Sequence, residues 1–157
     1  MKRNFVAAAP NKIWTADITY IHTWEGFLYL AFILDVYSRR VVGWSMATHL
    51  RTELVVDALE MALWRDGPLE AKPRRWSDPP HGSRGAIYTA LSFGKKLKEA
   101  GIVASMGRVG SALDNAISES FVASLKCELL LHGHRFLSRE AARTAVFDYI
   151  EGFYNGV

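Results

Sequence analysis

The stretch "IWTADITYI", Ile13 to Ile21, followed after the turn residues "TWEG" by "FLYLAFILDV", Phe27 to Val36, decides the fold. The first segment is rich in β-branched and aromatic residues and reads as a strand. The second is apolar almost throughout, so it reads as a strand with both faces covered. "YSRR" makes a short connection to a third strand, "VVGWSMA", Val41 to Ala47. Connections this short force neighbouring strands to run antiparallel. The apolar run "FLYLAFIL" is too short to cross a bilayer, and no transmembrane segment is expected.

Working outward, Thr52 is placed to cap a helix reaching about Trp64, with Leu54, Val55, Ala58, Leu59, Ala62 and Leu63 on its helical period. "RDGPLEAKPRR" reads as loop, because Gly67, Pro68 and Pro73 interrupt it. A fourth strand position follows at Trp76. A helix is expected from about Ala90 to Ala100, ended by Gly101 as a C-cap. "IVASM" reads as a short strand and "GRVGSAL" as flexible chain. A helix from about Asp114 to Leu130 aligns Ile117, Phe121 and Leu125 in one row. Ser138 is placed to cap a final helix to about Tyr154, which buries Ala142, Val146, Ile150 and Phe153. This order suits an α/β fold: a five-stranded mixed sheet, three antiparallel strands first, with helices on both faces.

The chain has 157 residues, enough for one domain with a core. Half of it is hydrophobic and 22% is charged, the balance of a globular protein. The net charge of +3 is compatible with a polyanionic partner without requiring one. The single cysteine, Cys127, rules out an internal disulfide; it fits a reducing compartment, and we expect a cytoplasmic protein with Cys127 packed. The first residues carry no apolar run of signal-peptide length.

Asp17 lies inside the first strand, where a carboxylate is disfavoured unless it is exposed or has a task. Alternation puts it with Thr15 and Thr19, opposite Trp14, Ala16, Ile18 and Tyr20. That pattern alone fits a solvated strand face. Glu119, in "DNAISESF", is a helical glutamate of the kind that usually faces solvent. Lys126 follows two turns later on the same side, where a cation either touches a phosphate or is simply exposed.

Taken together, "IWTADITYI", "FLYLAFILDVYSRRVVGW", "SMGRVGSALDNAISESF" and "FDYIEGFYN" resemble the catalytic core of IS3-family transposases, relatives of retroviral integrases, from about residue 5 to residue 155. The resemblance implies an RNase H-like fold and an Asp-Asp-Glu triad binding two divalent ions, Mg²⁺ or Mn²⁺. It puts Asp17 and Glu119 at the first and third catalytic, metal-binding positions, and Lys126 at a DNA-binding one. The chemistry explains the residue types. Phosphodiester transfer needs an activated nucleophile and a stabilised leaving oxygen in line, which two ions about 3.5–4 Å apart provide. Mg²⁺ prefers hard oxygen ligands, so carboxylates from separate elements must converge.

"WSDPPHGSRGAIY", Trp76 to Tyr88, departs from the family pattern. The second aspartate is expected within a run resembling His-Ser-Asp-Arg-Gly-Ser-Gln-Tyr, about 35 residues before the glutamate. Asp78 has Pro79 and Pro80 after it, and 40 residues stand between it and Glu119, where the family pattern implies about 35. The expected spacing instead selects Ser83, with His81, Arg84, Gly85 and Tyr88 matching the pattern. A shifted reading frame accounts for this. With suitable third bases, the codons of Trp76 to Tyr88 read one base later give Gly-Pro-Ile-His-His-Thr-Asp-Arg-Gly-Ala-Gln-Tyr. The recovered aspartate straddles the codons of Gly82 and Ser83. Two compensating small insertions or deletions would have scrambled these residues. The alternative is an inserted loop in which Asp78 still serves. Ser83 is a poor Mg²⁺ ligand, so its presence in the slot predicts weakened metal binding. Two prolines cannot donate to a ladder, so the fourth strand is expected to pair weakly.

Other residues carry blander readings. His22, His49, His81, His132 and His134 show no metal-ligand spacing with a cysteine. Lys95, Lys96 and Lys98 form a basic helix face, solvated or touching a DNA backbone. Asp35 ends a strand near Arg39 and Arg40, where a turn ion pair is expected. Asp114 is placed to cap its helix, with Asn115 beside it to support the site.

The expectation is an integrase-type catalytic core, residues 5–157, acting in metal-dependent cleavage and joining of transposon-end and target DNA, with self-association in the active complex. It is expected to be impaired at its second ligand. Relative to the family it is expected to stop short after "FYNGV" and to lack an N-terminal helix-turn-helix, so that end recognition comes from elsewhere. The alternatives are a decayed, non-catalytic remnant that at most binds DNA, and a nuclease of the same fold, against which the "DNAISES" context argues.

Overall fold

The computed structural model describes residues 13–65, 74–78, 91–99, 101–109, 112–130 and 135–155. Strand β1 (Ile13–Thr23), β2 (Gly26–Asp35) and β3 (Val41–Ala47) form an antiparallel meander. Helix α1 (Thr52–Arg65) leads to β4 (Arg74–Asp78), α2 (Leu91–Glu99) and β5 (Ile102–Val109). Helix α3 (Ala112–Leu130), α4 (Arg139–Phe147) and a π-helical segment (Asp148–Tyr154) complete the described chain. The strands lie in the order β3-β2-β1-β4-β5, with β4 parallel to both β1 and β5.

The unbroken apolar character of β2 follows from its place in the middle of the meander. Leu28, Leu30, Phe32 and Leu34 point to one side of the sheet, where Ile117, Phe121, Leu125 and Leu129 of α3 meet Ala142, Val146 and Ile150. Ala31 and Ile33 point to the other, where Trp14, Ala16 and Ile18 of β1 pack under Leu54, Val55, Ala58, Leu59 and Ala62 of α1, joined by Leu97 of α2. Gly43 lets α1 approach β3. A Cβ there would run into the Ala58 carbonyl oxygen and stand 2.8 Å from the Ala62 Cβ.

The outer border of β3 is closed by side chains. The amide of Asn155 accepts from the Val41 N–H at 2.9 Å and donates to the Val41 carbonyl at 2.9 Å. The Met61 sulfur accepts from the Trp44 N–H at 3.4 Å, and Arg143 donates to the Met46 carbonyl at 3.3 Å. Glu151 ties the same region together. One carboxylate oxygen accepts from the Trp44 indole at 2.8 Å and from Arg65 at 2.6 Å.

Several expectations need correction. Arg74 and Arg75, read as loop, begin β4. The flexible reading of "GRVGSAL" fails at both ends, because Gly107–Val109 continue β5 and Ala112 and Leu113 open α3. Asp114 therefore lies inside α3 and is not its N-cap. The last helix does start after Ser138, whose Oγ accepts from the Ala141 N–H at 3.0 Å. Beyond Phe147 it widens to π spacing, with the Asn155 N–H donating to the Ile150 carbonyl at 2.9 Å. Cys127 is exposed, not packed. It sits two residues past Leu125 in the buried row, about 200° around the helix. Among the described residues, β4 pairs with β1 only at Ile13, Trp14 and Thr15, and its register against β5 shifts between Trp76 and Asp78. Residues 79–83, on which the expected weakness of the strand turns, lie outside the described residues.

Candidate active site

Asp17 is half-buried near the middle of β1, flanked by Thr15 and Thr19, which are buried. The solvated-face reading of this side of β1 is therefore wrong: α3 covers it. One carboxylate oxygen of Asp17 accepts from the Ile18 N–H at 2.8 Å. That bond fixes the orientation of the carboxylate. Across the strand pair, Asp17 faces Phe32.

Two contacts set the register of α3 along β1. The Phe121 ring packs on Phe32, level with Asp17, with centroids 4.7 Å apart. The Lys126 ammonium sits 4.9 Å over the centre of the Tyr20 ring. The helix thus advances in the same direction as β1. Glu119, two residues before Phe121, is level with Asp17. Seven residues turn a helix by nearly two full turns, so Glu119 and Lys126 share one flank, about 10 Å apart along the axis. On β1, Asp17 and Tyr20 are also separated by about 10 Å. Glu119 and Lys126 are both exposed.

Sequence reasoning missed Tyr20. Its ring holds the Lys126 cation, an interaction worth about 0.5–1 kcal/mol at an exposed site. Nothing in the local pattern marks a strand tyrosine for this. The contact arises because a side chain from α3 reaches past β1 to the far face of the sheet.

Asp78 is the last residue of β4. Its neighbour Ser77 pairs with Thr15, which brings the end of β4 beside β1 within two residues of Asp17. Ser83 lies outside the described residues. Among the described residues no cluster of three or more His, Cys, Asp or Glu side chains stands ready to hold a metal ion. The donor chemistry nonetheless suits a hard divalent cation: Asp17 and Glu119 offer carboxylate oxygens, one oriented by a backbone N–H and one open to solvent.

The remaining candidates are structural. Lys96 pairs with Glu60 on α1 at 2.9 Å, and this hydrogen bond raises its pKa; Lys95 and Lys98 are exposed. The buried Asp35 carboxylate accepts from the Ser38 N–H at 3.0 Å and from its hydroxyl at 2.7 Å, closing the β2–β3 turn. His49 accepts from the Arg51 N–H at 3.2 Å. His81, His132 and His134 lie outside the described residues. No helix among the described residues is long and apolar enough to cross a membrane.

Comparison with known proteins gives a consistent picture. Two models of the integrase core domain match residues 7–112 and 119–156. The chain is 44% identical, over 99% of its length, to the transposase InsF for insertion sequence IS3fB of Escherichia coli, of which it covers 51%. It is 40% identical, over 98% of its length, to a putative transposase for insertion sequence element IS986/IS6110 of Mycobacterium tuberculosis, of which it covers 55%. The chain therefore spans about half the length of the curated relatives it matches. Among solved structures, the HTLV-2 integrase catalytic core domain in complex with magnesium superposes with a TM-score of 0.61 at 18% identity, covering 90% of this chain and 86% of that one.

Proposed function

Because the chain belongs to the integrase core domain family, among the IS3-type transposases, we propose that it is a polynucleotidyl transferase core that cuts and joins DNA strands in transposition. The observation that carries this reading is the register of α3 on β1, which sets Glu119 level with Asp17 and Lys126 further along the same flank. Magnesium or manganese, two ions in an intact site, would supply activation of the attacking oxygen and stabilisation of the leaving one. Asp17 and Glu119 would hold them. The Ile18 N–H keeps the Asp17 carboxylate aimed. Lys126 neutralises a DNA phosphate beside the scissile one. The substrates are transposon-end and target DNA, the working form is a multimer, and the compartment is the cytoplasm.

The core is impaired at its second ligand, where the family spacing selects Ser83. A second reading is favoured by one observation: β4 ends on Asp78, beside β1. In that reading Asp78 takes the vacant role. A Mg²⁺- or Mn²⁺-dependent cleavage and strand-transfer assay on transposon-end DNA tests both. Weak activity lost in Asp17→Ala and in Glu119→Ala, and unchanged in Asp78→Ala, fits the impaired site. Activity lost in Asp78→Ala as well assigns that residue the second position. Activity that survives Asp17→Ala refutes the site altogether, and no activity at all leaves a DNA-binding remnant. The gene sequence across codons 70–90 tests the frame explanation separately; bases that cannot encode the shifted peptide end it.

A further inference from the structure

We propose that an aromatic row on the β1–β2 hairpin is a stacking platform for an unpaired nucleobase of the DNA strand, a role that rests on the reading of the chain as a DNA-processing core. Tyr20 and Tyr29 face each other across the strand pair, as do His22 and Phe27, so the four rings share one side of the hairpin. Their centroids are closely spaced: 5.4 Å for Tyr20–His22, 4.9 Å for Tyr20–Phe27, 4.8 Å for His22–Phe27 and 6.1 Å for Phe27–Tyr29. Tyr29 packs against the core under α1, and the row opens outward from it. His22 is exposed, Phe27 keeps 43% of its surface open, and Tyr20 and Tyr29 are half-buried.

Charge decides what the row takes. Lys126 lies over the Tyr20 ring at one end. At the other end the Arg139 guanidinium lies against Gly26 and donates to the Phe27 carbonyl at 3.1 Å. The nearby Glu25 carboxylate accepts the Arg139 backbone N–H at 2.7 Å. Exposed rings flanked by cations are what a single strand needs: bases stack on the rings while phosphates meet the charges. Tyr20 is about 10 Å along β1 from Asp17 and on the opposite face of the sheet, so a DNA strand reaches it around the border of β1 that Lys126 crosses. A terminus frayed at the catalytic carboxylates would lay its displaced base here, and Lys126 would serve both the phosphate and the platform.

The test uses the 157-residue chain in EDTA, so that it reads binding without chemistry. The probes are a blunt duplex and the same duplex with a short single-stranded extension carrying a fluorescent purine analogue. The expected result is quenching of the analogue and about tenfold tighter binding of the tailed duplex. Phe27→Ser should remove both while leaving blunt-duplex affinity unchanged. Tyr20→Leu should weaken both, and Tyr20→Phe, which keeps the ring, should retain them. Equal binding of tailed and blunt duplexes overturns the proposal and marks the row as a protein-facing surface. Retention of the tail preference by Phe27→Ser overturns it as well. A tail preference in a chain that cuts nothing when metal is added supports the platform and refutes the catalytic reading alone.

Discussion

The ring of Phe121 on α3 packs against that of Phe32 on β2, with planes inclined at 55°, and Phe32 is the cross-strand partner of Asp17. This one aromatic contact seats the helix that carries Glu119 against the strand pair that carries Asp17. Both rings are fully buried. Phe121→Ala should destabilise the fold by about 3–5 kcal/mol. Urea unfolding measures this. Phe121→Leu, closer in volume, should cost clearly less, and a loss under 1 kcal/mol for the alanine variant would mean that the ring does not anchor α3.

The proposed site brings two carboxylates together, and such a pair repels when no cation lies between them. Asp17→Asn keeps the acceptor for the Ile18 N–H and removes the charge. Without metal, its melting temperature should equal or exceed the parent's. Added Mn²⁺ should raise the parent's melting temperature and leave that of Asp17→Asn unmoved. At one hundred times its dissociation constant, a ligand adds about 2.7 kcal/mol, which is a readable shift. Scanning fluorimetry with and without metal decides the point; an equal shift in both proteins places the metal elsewhere.

Lys126 is proposed to neutralise one phosphate. Lys126→Gln should lower affinity for duplex DNA and flatten the slope of log affinity against log salt by about 0.9. Binding measured across a salt series reads this directly. An unchanged slope would assign the cation to Tyr20 alone.

Gly43 sits where α1 crosses β3, with the Ala58 carbonyl in the way of any added carbon. Gly43→Ala should destabilise by about 1–3 kcal/mol through forced displacement of α1. By contrast, nothing lies within 4 Å of a Cβ built at Gly94 or Gly152. Ala at Gly94 should be neutral or stabilising, since the substitution also restrains the unfolded chain.

Burial raises the pKa of Tyr149, and burial likewise raises that of Tyr154, whose hydroxyl donates to the Arg39 carbonyl at 2.6 Å. The folded chain then holds these protons more tightly than the unfolded chain. Their contribution is complete below the ordinary tyrosine pKa near 10.0 and is lost as pH rises through the raised values. Stability should fall above about pH 10, and Tyr149→Phe should make that fall shallower. Chemical unfolding at a series of alkaline pH values checks the sign.

The legible parts of the fold were those with a strong period. β2 announced its two covered faces through an unbroken apolar run, and α1, α3 and α4 announced their buried rows at helical spacing. Strand ends beyond the periodic residues were misread where Arg74 and Gly107 carry weak strand preferences that sheet pairing overrides, while Ala112, a good helix former, was read together with the glycines before it. The covered side of β1 was invisible because Thr15 and Thr19 look polar in sequence, while the helices that pack on that side, α3 and α4, come a hundred residues and more later. Asp17, Glu119 and Lys126 were picked out by family resemblance alone, since a carboxylate on a strand and another on a helix carry no local mark of a shared task. Tyr20 had no mark at all, because its partner is supplied by tertiary packing from α3.

With Asn155, Met61 and Arg143 occupying main-chain groups of Val41, Trp44 and Met46, β3 offers few vacancies to a foreign extended peptide. Ribbon-like aggregation by strand addition is thereby discouraged on this flank even at high local concentration. Substitution of Asn155 should accordingly be felt first as clumping at high protein concentration, before any loss of the fold.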